Sequence, residues 1–144
     1  MRCYQGGCHC GAVKVAFETA ADPAGLEVRA CACGFCTRHS ARTVTDPAGK
    51  LTLDAAEGAA QTYRFAMGIT DFIVCGHCGC YIGAQMEDGG ERFGIVNSRM
   101  LEDHALFVSP ATSRDYGAED EDGRRARRCA TWTPVTWASD LDVA

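Results

Sequence analysis

The sequence predicts a single mainly β domain of short strands, tied together by clustered cysteines and carrying only a few short helical turns. Three observations lead there. Apolar and polar residues alternate over short runs, as half-buried strands require. Pro, Gly and Asp punctuate those runs. Eight of the ten cysteines fall into three tight groups, which in a chain with reduced thiols reads as metal ligation.

Taken in order, Val13, Val15 and Phe17 alternate with Lys14, Ala16 and Glu18, and Leu26, Val28 and Ala30 alternate with Glu27 and Arg29. Further strands are predicted over Lys50–Leu53, Gln61–Ala66, Asp71–Cys75, Cys80–Gln85, Glu91–Asn97, Ala105–Val108 and Cys129–Thr133. Between them lie Asp22-Pro23, Asp46-Pro47-Ala48-Gly49, Asp88-Gly89-Gly90 and Ser109-Pro110. Many short strands separated by turns imply stacked sheets or a partly open barrel. No amphipathic helix of three turns is expected, only helical turns near Thr37–Ala41 and Ala111–Tyr116. The segment Gly117–Arg128, charged and nearly free of apolar residues, reads as a mobile loop.

The 144 residues fit one domain, spanning 1–144. A chain near 150 residues buries about 68–70% of its unfolded surface, so a core is possible before any metal adds to it. The net charge of −5 argues against a nucleic-acid partner, which calls for a basic surface. The one basic run, Arg124 to Arg128, follows the acidic run Glu119 to Asp122 across Gly123 and reads as a self-compensating solvated loop. No stretch approaches the ~18 apolar residues of a membrane span, and the N-terminus lacks an apolar run of signal-peptide length. The expected address is the cytoplasm, where thiols stay reduced. The oligomeric state is left open by the sequence.

The cysteine groups are Cys8-His9-Cys10-Gly11, Cys31-Ala32-Cys33-Gly34-Phe35-Cys36 and Cys75-Gly76-His77-Cys78-Gly79-Cys80. Structural zinc takes four tetrahedral ligands, thiolates above all. In the third group Gly76 and Gly79 give the turn the freedom for two sulfurs to converge. Cys75 and Cys78 then form half a site, and Cys8 and Cys10 supply a matching half. Such a metal closes a long loop and contributes folding free energy directly. The competing reading of Cys75-x-x-Cys78 is a redox pair or two small buried hydrophobes. Between two strands, rather than opening a helix, the motif favours metal.

Cys31, Cys33 and Cys36 offer three thiolates with no evident fourth cysteine. Three protein ligands and an open position mark a catalytic or ligand-exchanging zinc. Water, a substrate thiol or a carbonyl oxygen can take that position. The alternative is closure by His39, His9 or Cys80. Arg38 and Arg42 follow the triad and are candidates to hold the carboxylates of a thiol cofactor, or are plain surface charges. Cys3 and Cys129 stand alone as packed or surface thiols, and His77 and His104 carry no assigned role.

Three motifs in this order, Gly7-Cys8-His9-Cys10-Gly11-Ala12-Val13, C-x-C-x-x-C followed by Arg38, and Cys75-x-x-Cys78-Gly79, resemble the glutathione-dependent formaldehyde-activating enzyme family, which also includes centromere protein V. The resemblance runs from about Gly6 to Asn97-Ser98-Arg99-Met100-Leu101. It implies an Mss4-like fold, zinc-stapled stacked β-sheets. Cys8, Cys10, Cys75 and Cys78 match that family's structural zinc ligands. Cys31, Cys33 and Cys36 match its second zinc site, where the glutathione thiol is thought to approach. The implied activity is the condensation of formaldehyde with glutathione to S-hydroxymethylglutathione, formally a carbon–sulfur lyase reaction. Family members often carry His and then Ser where this chain has Ala32 and Gly34, and the tail from Arg127 to Trp137 belongs to only part of the family.

The leading expectation is thus a zinc-dependent carbon–sulfur lyase acting on an adduct of an aldehyde with glutathione or another small thiol. The triad cysteines are its catalytic ligands, and its partners are small molecules, with no nucleic acid and no membrane. A second expectation is a non-catalytic, zinc-folded binding module or thiol carrier. A third is a redox switch in which the exposed triad oxidises and releases its metal.

Overall fold

Val13, Val15 and Phe17 are buried and alternate with exposed Lys14, so the first predicted strand has one face on the core. Each such side chain contributes about 1.5–3 kcal/mol. In the computed structural model, which describes residues 1–141, this strand (β2, Val13–Thr19) forms an antiparallel hairpin with β1 (Arg2–Gly7), in register from Arg2 opposite Thr19 to Gly7 opposite Lys14. On its other side β2 pairs antiparallel with β5 (Lys50–Ala55), which pairs parallel with β11 (Thr133–Trp137).

The second set of strands runs β6 (Ala60–Tyr63), β7 (Asp71–Cys75), β8 (Tyr81–Asp88) and β9 (Glu91–Asn97), each antiparallel to the next. The far edge of β9 is shared. Gly94 and Phe93 meet β11, and Val96 and Asn97 meet β4 (Thr43–Val44). From β4 the sheet continues to β3 (Arg29–Cys31) and β10 (Thr112–Arg114). Because β11 pairs with both β5 and β9, the two sets join into one eleven-stranded mixed sheet. Strand β8 is buried on both faces, and a Cβ at Gly83 would come within 2.2 Å of the Ile95 carbonyl oxygen, so the central strands approach too closely there for any other residue.

The mainly β expectation holds, and the strands predicted over Asp71–Cys75 and Glu91–Asn97 have those bounds. Of Leu26–Ala30 only its end is paired, in β3. Three predicted elements are otherwise. Ala105–Val108 is a 3₁₀ turn over His104–Leu106 that buries Phe107 against Tyr4 and Phe17 and leaves Leu106 and Val108 exposed. Ala111–Tyr116 contains β10 rather than a helical turn, because its backbone pairs with β3. Cys129–Thr133 is the end of a helix, and the strand begins only at Thr133.

The largest correction is α2 (Glu121–Thr131), where a mobile loop was expected. Asp120 caps it by accepting from the Gly123 amide at 2.7 Å, with Glu121 and Asp122 in the first turn. The face it turns to the protein holds Arg124, Arg127, Arg128 and Thr131, spaced three or four apart. A helical period is present, but it is written in arginines, whose aliphatic stems bury while a pattern of apolar residues misses them. The two other helices are short: α1 (Gly34–His39), near the helical turn expected over Thr37–Ala41, and α3 (Ala138–Leu141).

Two buried clusters result. One gathers Val13, Phe17, Leu51, Ile82 and Leu101 and includes Cys8 and Cys75. The other gathers Phe72, Tyr81, Met86 and Trp132 and includes Cys36. Each cysteine group thus sits in its own core.

Candidate functional site

Cys8 and Cys10 lie in the β1–β2 turn, which closes through Cys8 N–H to Val13 C=O at 2.9 Å and Gly11 N–H to Cys8 C=O at 3.1 Å. Gly11 has φ +82°, a conformation glycine adopts without strain. Cys75 ends β7, and the turn to β8 is held by Gly79 N–H to Cys75 C=O at 2.8 Å, with Gly79 at φ +81°. The two turns bring four sulfurs together. Cys10 Sγ is 3.6 Å from both Cys8 Sγ and Cys75 Sγ, and those of Cys8, Cys10, Cys75 and Cys78 all lie within 4.8 Å of one another. A tetrahedron with zinc–sulfur arms of ~2.3 Å has edges of about 3.8 Å, so the donor set and spacing fit a zinc ion.

Crowded sulfurs cannot all ionise in the absence of a cation. In the quartet, Cys78 is lowered to about 5 by backbone N–H groups of Cys10 and Cys80. For Cys10 the Ala12 amide lowers the value, but burial and the neighbouring sulfurs outweigh it and push it up to about 12. Neighbouring sulfurs pushed in opposite directions are the electrostatic state that a bound dication relieves.

The triad is built locally. Cys31 ends β3, Cys33 is the N-cap of α1, and Cys36 lies in its first turn. Backbone donors already face these sulfurs: Cys36 N–H to Cys33 Sγ at 3.4 Å and Cys33 N–H to Cys31 Sγ at 3.5 Å. The three sulfurs lie within 4.8 Å of one another, which fits three corners of the same tetrahedron. Cys31 is lowered to about 5, chiefly by the hydrogen bond from Cys36 against the cost of burial, and Cys36 is pushed far up by the same pairing. Among the described residues no histidine, carboxylate or fourth cysteine joins this group at that spacing. His39 instead packs against Phe35, ring centroids 4.6 Å apart and tilted by 40°. Cys80 packs against the first core, beside the quartet.

The triad opens on a cavity of about 340 Å³, while the quartet does not line it. Much of its wall is apolar, with Phe65, Ile69, Phe72, Ile95 and Trp132 in it. Tyr81 packs beneath Phe35, its hydroxyl fully buried without a partner and its pKa driven well up, first by that burial and then by the triad sulfurs.

Arg38 and Arg42 do not line this cavity. Arg38 is exposed and donates to Gly34 C=O at 2.9 Å; Arg42 donates to Ala41 C=O at 3.1 Å and faces Ser98 and His104 on another surface. The arginines that do line it are Arg29 from β3 and Arg124, Arg127 and Arg128 from α2. The three- and four-residue spacing of the last three, behind an aspartate cap, was the signal in the sequence that could have found them. Cys3 is exposed, and Cys129 donates to Asp88 at 3.2 Å, so neither enters a cysteine group.

Residues 3–114 match the family model described as glutathione-dependent formaldehyde-activating enzyme. The chain is also similar to a solved crystal structure of a Rhodobacter sphaeroides protein, a structural-genomics target. That likeness has a TM-score of 0.57 and 29% identity over 75% of this chain and 99% of the other. No helix among the described residues is long and apolar enough to cross a membrane.

Proposed function

The chain belongs to the glutathione-dependent formaldehyde-activating enzyme family, and from that membership we propose that it is a zinc-dependent carbon–sulfur lyase whose substrate is the adduct of a small thiol with an aldehyde. In this reading Cys8, Cys10, Cys75 and Cys78 hold a structural zinc, and Cys31, Cys33 and Cys36 hold a second. The observation that carries the reading is that three sulfurs line one cavity and, among the described residues, no histidine, carboxylate or fourth cysteine joins them.

A zinc ion on the triad supplies deprotonation of a thiol that joins it and polarisation of a nearby carbonyl. The chain's own residues do the rest. All three sulfurs line the cavity, so a ligand there could reach the ion they would hold, and the largely apolar lining would limit the water that competes for the aldehyde carbon. In the forward direction the thiol sulfur bonds to the aldehyde carbon, the carbonyl π bond breaks onto oxygen, and the proton lost by the thiol ends on that oxygen. The reverse releases thiol and aldehyde. No oxidant or reductant is needed.

The test combines stoichiometry with exchange. The full chain should carry two zinc ions, and glutathione should protect Cys33 and Cys36 from iodoacetamide. Glutathione mixed with formaldehyde should form its hydroxymethyl adduct faster with the protein than without, as followed by proton NMR exchange. A chain that binds one zinc, leaves the triad unprotected by any thiol and does not change the exchange rate would remove this reading.

A further inference from the structure

Arg128 is only 8% exposed, yet among the described residues no carboxylate lies within ion-pair distance of it. Its Nη1 donates to the Thr70 hydroxyl and approaches Met86 Sδ at 3.9 Å. Its guanidinium carbon stands 4.3 Å over the Trp132 ring. Its Nε is fully buried and has no partner. The other cavity arginines each have a carboxylate partner: Arg29 shares Glu27 with Arg114, and Arg124 and Arg127 share Glu119. Asp115 stands exposed on the rim, its Oδ1 accepting from the Gly117 amide at 2.9 Å.

Buried charges in folded proteins are paired, because an unpaired one loses its hydration without compensation. Here the cation without a carboxylate partner lines the same cavity as the three triad sulfurs, with Cys31 near enough to interact with its charge. Nε is sealed from the cavity, but Nη2 makes no hydrogen bond and is not sealed, so it is the nitrogen that can donate to a carboxylate there. The cavity's 340 Å³ lies at the small end of ligand pockets, ~300–1,000 Å³, which favours a compact ligand over an extended peptide.

We propose that the cavity binds a small carboxylate with an apolar body, its carboxylate seated on Arg128 and its apolar part lying along Phe72, Ile95 and Trp132 toward the Cys31, Cys33 and Cys36 sulfurs. This rests on the thiol–aldehyde reading for its reaction and sharpens its substrate class: the thiol is carried by an acid with an apolar part. The anchor belongs to α2, which begins at Glu121, beyond the residues 3–114 that match the family model.

The test uses the zinc-loaded full chain and two probes of equal shape, phenylacetate and phenylacetamide, followed by calorimetry and by tryptophan fluorescence, since Trp132 lines the site. Phenylacetate should bind at least tenfold more tightly than phenylacetamide. Arg128→Met should abolish that preference, and Arg128→Lys should restore part of it. Equal binding of the two probes, or no binding of phenylacetate, overturns the proposal. If Arg128→Met does not fold, the probe pair on the unaltered protein and the lysine variant still decide. The outcomes also separate the two readings. Glutathione protection of the triad without a carboxylate preference overturns this site alone. Arg128-dependent phenylacetate binding with no thiol protecting the triad supports this site and removes the thiol chemistry.

Discussion

The two cysteine groups contain the same ligand atom at similar spacing, but they are assembled in opposite ways. The quartet draws its sulfurs from two turns, with Cys10 and Cys75 separated by 65 positions. It is complete, with Cys8 and Cys75 buried in the first core, and it borders no part of the triad's cavity. The triad draws all three sulfurs from β3 and the first turn of α1, is incomplete, and faces an apolar cavity. A metal held by distant turns stabilises the fold, because its ligands meet only when the sheet has formed. A metal held by one short loop constrains little of the chain, and its open corner is available to a ligand. Sequence separation of the ligands and their number together distinguish the candidate structural site from the candidate reactive one.

That contrast is broken most severely at Cys75. Structural zinc in small domains contributes about 10–16 kcal/mol of apparent binding free energy, of the order of or above a whole domain's stability. Cys75→Ser is expected to abolish cooperative unfolding, read by thermal melts and by collapse of amide dispersion in NMR. A well-folded Cys75→Ser protein would show that the two turns are joined without the metal. Cys36→Ser should act on the other side. Cys36 is 4% exposed, so the hydroxyl costs about 1–3 kcal/mol of stability. The protein should stay folded, retain one zinc and lose thiol protection at Cys33. Equal destabilisation by the two substitutions would erase the distinction.

The same contrast explains what the sequence revealed. The quartet was legible because C-x-x-C and C-x-C next to glycine are local signals, and their pairing follows from the need for four ligands. The triad was legible as three sulfurs brought together by one short segment. Its surroundings were not. The cavity is made where β3, the 65–70 segment and α2 converge, and no local pattern announces that convergence. Helix α2 escaped because its buried face consists of arginines. β1 escaped because it exposes Arg2 and Cys3 and buries Tyr4 at one edge of the sheet, giving no alternation to read. Arg38 and Arg42, chosen for closeness in sequence, emerge on surfaces away from the cavity, because α1 and the turn after it carry them past the triad.

The third consequence concerns how firmly the cavity's outer wall is held. Asp120 supplies the one side-chain cap of α2. Asp120→Ala should lower stability by about 1 kcal/mol. Hydrogen exchange should rise over Glu121–Arg124 and stay unchanged around Cys8 and Cys75. Faster exchange at the quartet would mean that the two regions unfold as one unit rather than separately.

The smallest effect is electrostatic and belongs to the same wall. Glu119 accepts from Arg127 at 2.7 Å and 2.9 Å and pairs with Arg124 at 3.4 Å. The Arg127 hydrogen bonds, against some burial, hold its carboxyl below the ordinary 4.5. A carboxylate with a lowered folded-state pKa binds its proton more readily when unfolded. Its stabilisation is therefore present above about 4.5 and is lost as pH falls through the lowered value. The side chains are about one-fifth exposed, so solvent screens the pair and the contribution is about 1 kcal/mol or less. Glu119→Gln should lower the melting temperature slightly at pH 7 and by progressively less as the pH drops below 4. A constant difference between the two proteins across that range would mean that Glu119 contributes through packing and not through its charge. A difference that instead grew in acid would reverse the assigned sign.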